Sequence, residues 1–219
     1  MTPALQSHAM LALCRRAPVI PVLVIDDPRH AAPLAQALVA GGLPVLEVTL
    51  RTPAALEAIA AIADVPGAIV GAGTVLGGHD AARAQAAGAA FAVSPGATPA
   101  LVAACVARGL PLLPGAATAS EVMALLDDGY RMLKFFPAQA AGGTALLRAW
   151  HSPLPRVRFC PTGGIGPANA SDYLALPNVA CVGGSWVAPE KMVKDGDWDG
   201  ITRLARETAA LSRVNGAAG

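Results

Sequence analysis

Lysine is nearly absent from this 219-residue chain: its sixteen basic residues are thirteen Arg and only Lys134, Lys191 and Lys194. Charge is sparse altogether, with 14% charged residues and a formal net charge of +1. So small a balance gives no electrostatic basis for binding nucleic acid or an anionic membrane surface. Cysteine is rare too: Cys14, Cys105, Cys160 and Cys181 stand singly in apolar surroundings, without a CxxC pair or a close Cys/His grouping. That spacing excludes a disulfide scaffold and offers no zinc motif; it predicts reduced, buried thiols in a cytoplasmic protein. The N-terminal residues show no signal-peptide layout, and with Gly and Pro counted no apolar run reaches the length of a membrane span.

What the chain does have is 54% hydrophobic residues, which excludes a largely disordered polymer. Eight short β-branched or apolar runs recur at 18–25, 44–50, 68–71, 90–93, 110–113, 131–136, 156–160 and 179–182. Such continuous apolar runs suit strands of a parallel sheet buried on both faces. Ala- and Leu-rich segments at 30–40, 53–63, 81–87, 99–107 and 120–126 read as helices between them, with a short one at 167–173 and a last one at about 199–212. Thr52-Pro53, Thr98-Pro99 and Ser120-Glu121 supply starts, and Gly41-Gly42, Gly88, Gly109 and Gly129 supply stops. Eight βα units without a compositional break predict an α/β fold, a single (β/α)8 TIM barrel over 1–219, with a short extension at 1–16 and a frayed tail at 214–219. A doubly wound open sheet is the competing architecture.

In a barrel the chemistry gathers at the C-terminal ends of strands. In the second run, period-two alternation puts Glu47, Thr49 and Arg51 on one face and Leu46, Val48 and Leu50 on the other. The polar set then faces the barrel interior, where a structural Glu47–Arg51 ion pair is the plainer reading. Lys134 lies in the sixth run, between Leu133 and Phe135. Burial disfavours an ammonium and favours the neutral amine, a nucleophile able to form a Schiff base with a carbonyl substrate. A structural Lys134–Glu47 pair is the alternative, although arginine is the better residue for fixed ion pairs. Two Gly-rich turns, Thr162-Gly163-Gly164-Ile165-Gly166 and Gly183-Gly184-Ser185, follow the seventh and eighth runs. This is where barrels commonly bind phosphate through backbone N–H groups. Thr74, after Gly71-Ala72-Gly73, is a candidate donor to a substrate carboxylate beside Arg51. Those glycines do not form a dinucleotide fingerprint. The four histidines are dispersed and read as surface residues.

The segments Leu46-Glu47-Val48-Thr49-Leu50-Arg51-Thr52, Gly71-Ala72-Gly73-Thr74-Val75, Ser94-Pro95-Gly96, Lys134-Phe135-Phe136-Pro137-Ala138 and Pro161-Thr162-Gly163-Gly164-Ile165 occur in that order. With Gly183-Gly184-Ser185-Trp186 they make the chain resemble the 2-keto-3-deoxy-6-phosphogluconate (KDPG) aldolase family, class I pyruvate aldolases of the Entner–Doudoroff pathway, over about residues 10–213. The resemblance implies a (β/α)8 barrel, commonly a homotrimer, cleaving KDPG to pyruvate and glyceraldehyde 3-phosphate without metal or organic cofactor. It implies Lys134 as the Schiff-base lysine, Glu47 as general acid/base, and Arg51 and Thr74 as carboxylate ligands. Gly163, Gly164, Gly184 and Ser185 become the phosphate cradle, and Thr162, Phe136 and Pro95 line the pocket. Two departures stand out: Gln139 occupies a position where the family often has Glu, and Val24-Ile25 stand where some relatives place an arginine. The latter leans away from a phosphogalactonate-specific branch. The alternatives are an aldolase for 6-phosphogalactonate or 4-hydroxy-2-oxoglutarate substrates and, in a different class, a noncatalytic sugar-phosphate-binding barrel.

Overall fold

The structure is a computed structural model that describes residues 1–212; the expected tail at 214–219 lies outside them. The strands are β1 (Val19–Leu23), β2 (Val45–Thr49), β3 (Ile69–Gly73), β4 (Ala92–Val93), β5 (Leu112–Leu113), β6 (Gly115–Ala116), β7 (Met132–Phe135), β8 (Arg158–Pro161) and β9 (Val182–Gly184). The helices are α1 (Pro3–Cys14), α2 (Ala31–Ala40), α3 (Ala55–Ala63), α4 (Gly78–Ala86), α5 (Pro99–Arg108), α6 (Ala119–Asp127), α7 (Gly143–His151), α8 (Ala170–Leu174), α9 (Glu190–Asp195) and α10 (Trp198–Ala209). All strand pairs are parallel, in a curled six-stranded sheet of order β5-β4-β3-β2-β1-β9 and a three-stranded sheet β6-β7-β8.

Regular ladders therefore do not run continuously around the eight strands expected. The fifth run ends at Leu113, and past Pro114, which has no N–H to give a ladder, the chain resumes as β6: β5 pairs with β4, β6 with β7, and the Pro114 carbonyl accepts from the Lys134 N–H at 2.9 Å. At the other seam, isolated bridges join Phe159 to Val179 and Thr162 to Gly183.

Alternation along β2 follows the pattern in the sequence. Leu46 and Val48 enter the large core between sheet and helices, whereas Val45 joins a smaller core with Ile20, Phe91, Val93, Leu113 and Met132. The floor of that smaller core is α1, a helix where the sequence suggests only an extension. Its inward face carries Gln6, Ser7, Met10 and Cys14, a helical spacing half made of polar residues, so hydrophobic periodicity does not reveal it. The polar members complete strand ends. Ser7 Oγ accepts from the N–H groups of Arg131 and Met132 at 2.8 and 2.7 Å, and Gln6 Oε1 accepts from the Leu112 N–H and the Tyr130 hydroxyl at 3.3 and 2.6 Å.

Two helix starts differ from expectation. Helix α6 opens on a Thr118/Glu121 capping box rather than at Ser120. The Thr52 hydroxyl donates to the Ile25 carbonyl at 2.6 Å instead of capping α3. Helices α7 and α9 have no counterpart in the sequence reading, and α10 ends at Ala209, short of the expected 212. Among the described residues, no helix is long and apolar enough to cross a membrane.

Candidate active site

Lys134 and Glu47 meet inside the sheet. Lys134 Nζ lies 3.1 Å from Glu47 Oε1, with the two side chains 7% and 4% exposed. The Lys134 amine also stands 5.3 Å from the centroid of the Phe136 ring, and the Phe136–Pro137 peptide is cis. Glu47 reaches this position because Gly73, on the adjacent strand, has no side chain. A Cβ there would sit 2.3 Å from Glu47 Oε1 and 2.7 Å from its Cγ. Gly73 is thus a site residue that sequence reasoning missed; its place beside a strand end was visible, its partner across the sheet was not.

Glu47 pairs with Lys134 rather than with Arg51, so the local Glu47–Arg51 alternative fails. Arg51 is instead held from below: its Nε donates to Thr49 Oγ1 at 3.1 Å, and the Thr49 hydroxyl donates to the Leu23 carbonyl at 3.0 Å. Thr49 is buried and Arg51 exposed, so a buried hydroxyl orients a cation at the edge of the site. Thr74 follows β3 with φ 60°. A β-branched residue in the left-handed region is strained by about 1–3 kcal/mol, and such strain concentrates at functional positions.

The Gly-rich turn at 162–166 follows β8 as expected, whereas Gly183 and Gly184 form the end of β9 itself, with Ser185 just after it. Gly163 and Gly164 have φ of 100° and 74°, conformations that glycine adopts without strain. Thr162 is buried beneath the first turn, and a Cβ on Gly183 would fall 2.3 Å from its Oγ1. A Cβ on Gly184 would overlap the Trp186 ring. Ser185 is exposed, and Pro95 and Phe136 are half-buried. Gln139, the departure noted above, accepts from the Tyr173 hydroxyl at 2.8 Å, while its N–H donates to the Gly163 carbonyl at 3.1 Å. The amide therefore fills the acceptor role that a carboxylate would have at this position.

Scattered in sequence, Cys14, Cys160 and Cys181 come together, buried in the smaller core. The contact with Cys160, with burial, pushes the Cys14 thiol up; contacts with Cys14 and Cys160, with burial, do the same for Cys181. Among the described residues, no three His, Cys, Asp or Glu side chains are arranged to hold a metal ion.

A family model described as KDPG and KHG aldolase matches residues 10–204. The chain belongs to this family. The KHG/KDPG aldolase of Escherichia coli K12 is 56% identical over 198 residues, 90% of this chain and 93% of that protein. The crystal structure of 2-keto-3-deoxy-6-phosphogluconate aldolase from Zymomonas mobilis ATCC 29191 superposes with a TM-score of 0.88 at 54% identity, covering 93% of this chain and 97% of that one. A third KDPG aldolase, from Legionella pneumophila, was crystallised with pyruvate captured as a covalent carbinolamine intermediate. It matches with a TM-score of 0.89 at 49% identity, over 91% of this chain and 98% of that one.

Proposed function

We propose that this KDPG/KHG-family chain is a class I aldolase, a carbon–carbon lyase cleaving 2-keto-3-deoxy-6-phosphogluconate to pyruvate and glyceraldehyde 3-phosphate. The observation that carries the reading is the buried Lys134 Nζ–Glu47 Oε1 contact of 3.1 Å, in a chain with only three lysines. Cleaving a C–C bond β to a ketone leaves an electron pair that needs a sink, and a protonated imine on lysine supplies one.

Proton transfer from Lys134 to Glu47 frees an amine that adds to the C2 carbonyl. Glu47 returns the proton as water leaves the carbinolamine, giving the imine. The Glu47 carboxylate then takes the C4 hydroxyl proton, through water, and the C3–C4 bond breaks. The electron pair enters an enamine and glyceraldehyde 3-phosphate departs. Protonation of the enamine and hydrolysis of the imine release pyruvate and restore Lys134. Arg51, its Nε engaged by Thr49, grips the carboxylate with its terminal amino groups, and Thr74 donates a further hydrogen bond. Gly163, Gly164, Gly184 and Ser185 cradle the phosphate, and Thr162, Phe136 and Pro95 wall the pocket.

The same reading takes the two sheets as one closed (β/α)8 barrel and 1–219 as a single domain. The lone Pro114 break between β5 and β6 and the two bridges between the β8 and β9 segments support closure. It also takes the protein as a cytoplasmic homotrimer working without cofactor. Comparing kcat/KM for KDPG, its C4 epimer and the unphosphorylated 4-hydroxy-2-oxoglutarate tests the substrate. Preference for KDPG is expected; equal or greater efficiency with either of the others overturns the assignment.

A further inference from the structure

The Gly-rich turn after β8 is held by groups from two neighbouring segments, the chain beyond β7 and the start of α8. Two of its carbonyls are tied down. That of Gly163 accepts from the Gln139 N–H at 3.1 Å, and that of Gly164 accepts from Asn169 Nδ2 at 3.0 Å. In a trans peptide the N–H points opposite to the C=O, so these bonds aim the N–H groups of Gly164 and Ile165 away from Gln139 and Asn169. Neither N–H finds an acceptor among the described residues. Successive backbone donors left open in this way suit an anion.

The residues that fix the turn serve it in preference to their own elements. Asn169 holds the N-cap position of α8, where an Asn side chain ordinarily accepts from the first N–H groups of the helix; here it makes no capping bond. Its Oδ1 accepts instead from the Gly166 N–H at 2.9 Å while Nδ2 reaches Gly164, so one amide spans both sides of the turn. Gln139 is held in its place by Tyr173, a buried residue of α8 whose hydroxyl donates to Gln139 Oε1 at 2.8 Å. The Ala138 N–H adds a bond to the Thr162 carbonyl at 2.8 Å, and a Cβ on Gly164 would sit 2.6 Å from the Gln139 Cβ. The segment that follows Lys134 is thereby stitched to the turn.

We infer that Asn169 and Tyr173 are positioning residues for the substrate phosphate, setting the direction of the Gly164 and Ile165 N–H donors. The inference rests on the phosphate cradle of the proposed function and adds to it the Ile165 N–H and these two side chains. Asn169 acts on the turn directly, Tyr173 through Gln139, so loss of Asn169 has the larger effect. A cradle fixed in advance lets the non-reacting phosphate hold the substrate carbonyl against Lys134.

Steady-state cleavage of KDPG, set beside borohydride inactivation in pyruvate, tests this role. Asn169→Ala should lower kcat/KM for KDPG about tenfold and Tyr173→Phe about threefold. Pyruvate carries no phosphate and reacts at Lys134, so its concentration for half-maximal inactivation should stay within about twofold of the parent in both variants. A merely structural role would weaken both readouts together. Tyr173→Phe keeps the buried ring and carries the test alone if Asn169→Ala does not fold. Unchanged kcat/KM for KDPG in the folded variants, or a parallel loss of pyruvate affinity, overturns the inference. The parent distinguishes this failure from that of the underlying reading. A parent that cleaves KDPG no better than its dephosphorylated form, 2-keto-3-deoxygluconate, overturns the phosphate cradle itself; a phosphate preference that survives in Asn169→Ala overturns the positioning role alone.

Discussion

Removing one member of the Lys134–Glu47 pair should destabilise the protein more than removing both. At 3.1 Å and an effective dielectric of about 20, the Coulomb attraction is about 5 kcal/mol. Lys134→Met strands a buried carboxylate and Glu47→Leu a buried ammonium; either change should cost about 3–5 kcal/mol. In the double variant, apolar side chains of similar volume replace both charges. Its stability should lie within about 1–2 kcal/mol of the parent, where independent effects would sum to about 6–10 kcal/mol. For a chain of this size each single change lowers Tm by about 6–20 °C. Urea unfolding at matched protein concentration, followed by fluorescence of the buried Trp150, measures the cycle. Additive losses, or single variants within about 1 kcal/mol of the parent, would refute a charged pair in the resting protein.

Gly73→Ala should push the Glu47 carboxylate aside and cut kcat about a hundredfold with the fold intact by circular dichroism; parental turnover would show that Glu47 does not need this space. Thr74→Gly should relieve left-handed strain, holding or raising Tm, while raising KM for the keto acid about tenfold through loss of a hydrogen bond to its carboxylate. A fall in Tm with KM unchanged would contradict both halves. Burial pushes the Cys105 thiol up to about 11 from an ordinary value of 9.0, and burial also raises Tyr130. The folded protein therefore keeps a proton that the unfolded chain releases, so stability should fall as pH rises from about 9 to about 11. Cys105→Val should flatten that slope of urea midpoint against pH; an identical slope would exclude its contribution.

The central strands and the charged groups within them were legible because the signals are local. Lys134 and Glu47 each interrupt an apolar run, and period two puts Glu47 opposite the helix-facing Leu46 and Val48. Contacts between distant segments were not legible. Gly73 matters for the neighbour it admits, Thr49 for the arginine it holds, and Gln139 for the Tyr173 hydroxyl 34 residues away. Helix α1 was hidden because Gln6 and Ser7 are buried to serve strand N–H groups rather than to extend an apolar stripe. Helix α9 exposes Lys191–Asp195 and Lys194–Glu190 pairs and buries no residue, so it presents polarity without a core-facing pattern. The meeting of Cys14, Cys160 and Cys181 required knowledge that α1 lies under the strands.

Borohydride reduction in the presence of pyruvate, followed by peptide mapping, tests the central claim most directly. The expected product is a reduced pyruvate adduct on Lys134, with Lys191 and Lys194 unmodified. Active protein trapped under these conditions with Lys134 unmodified would contradict the Schiff-base mechanism.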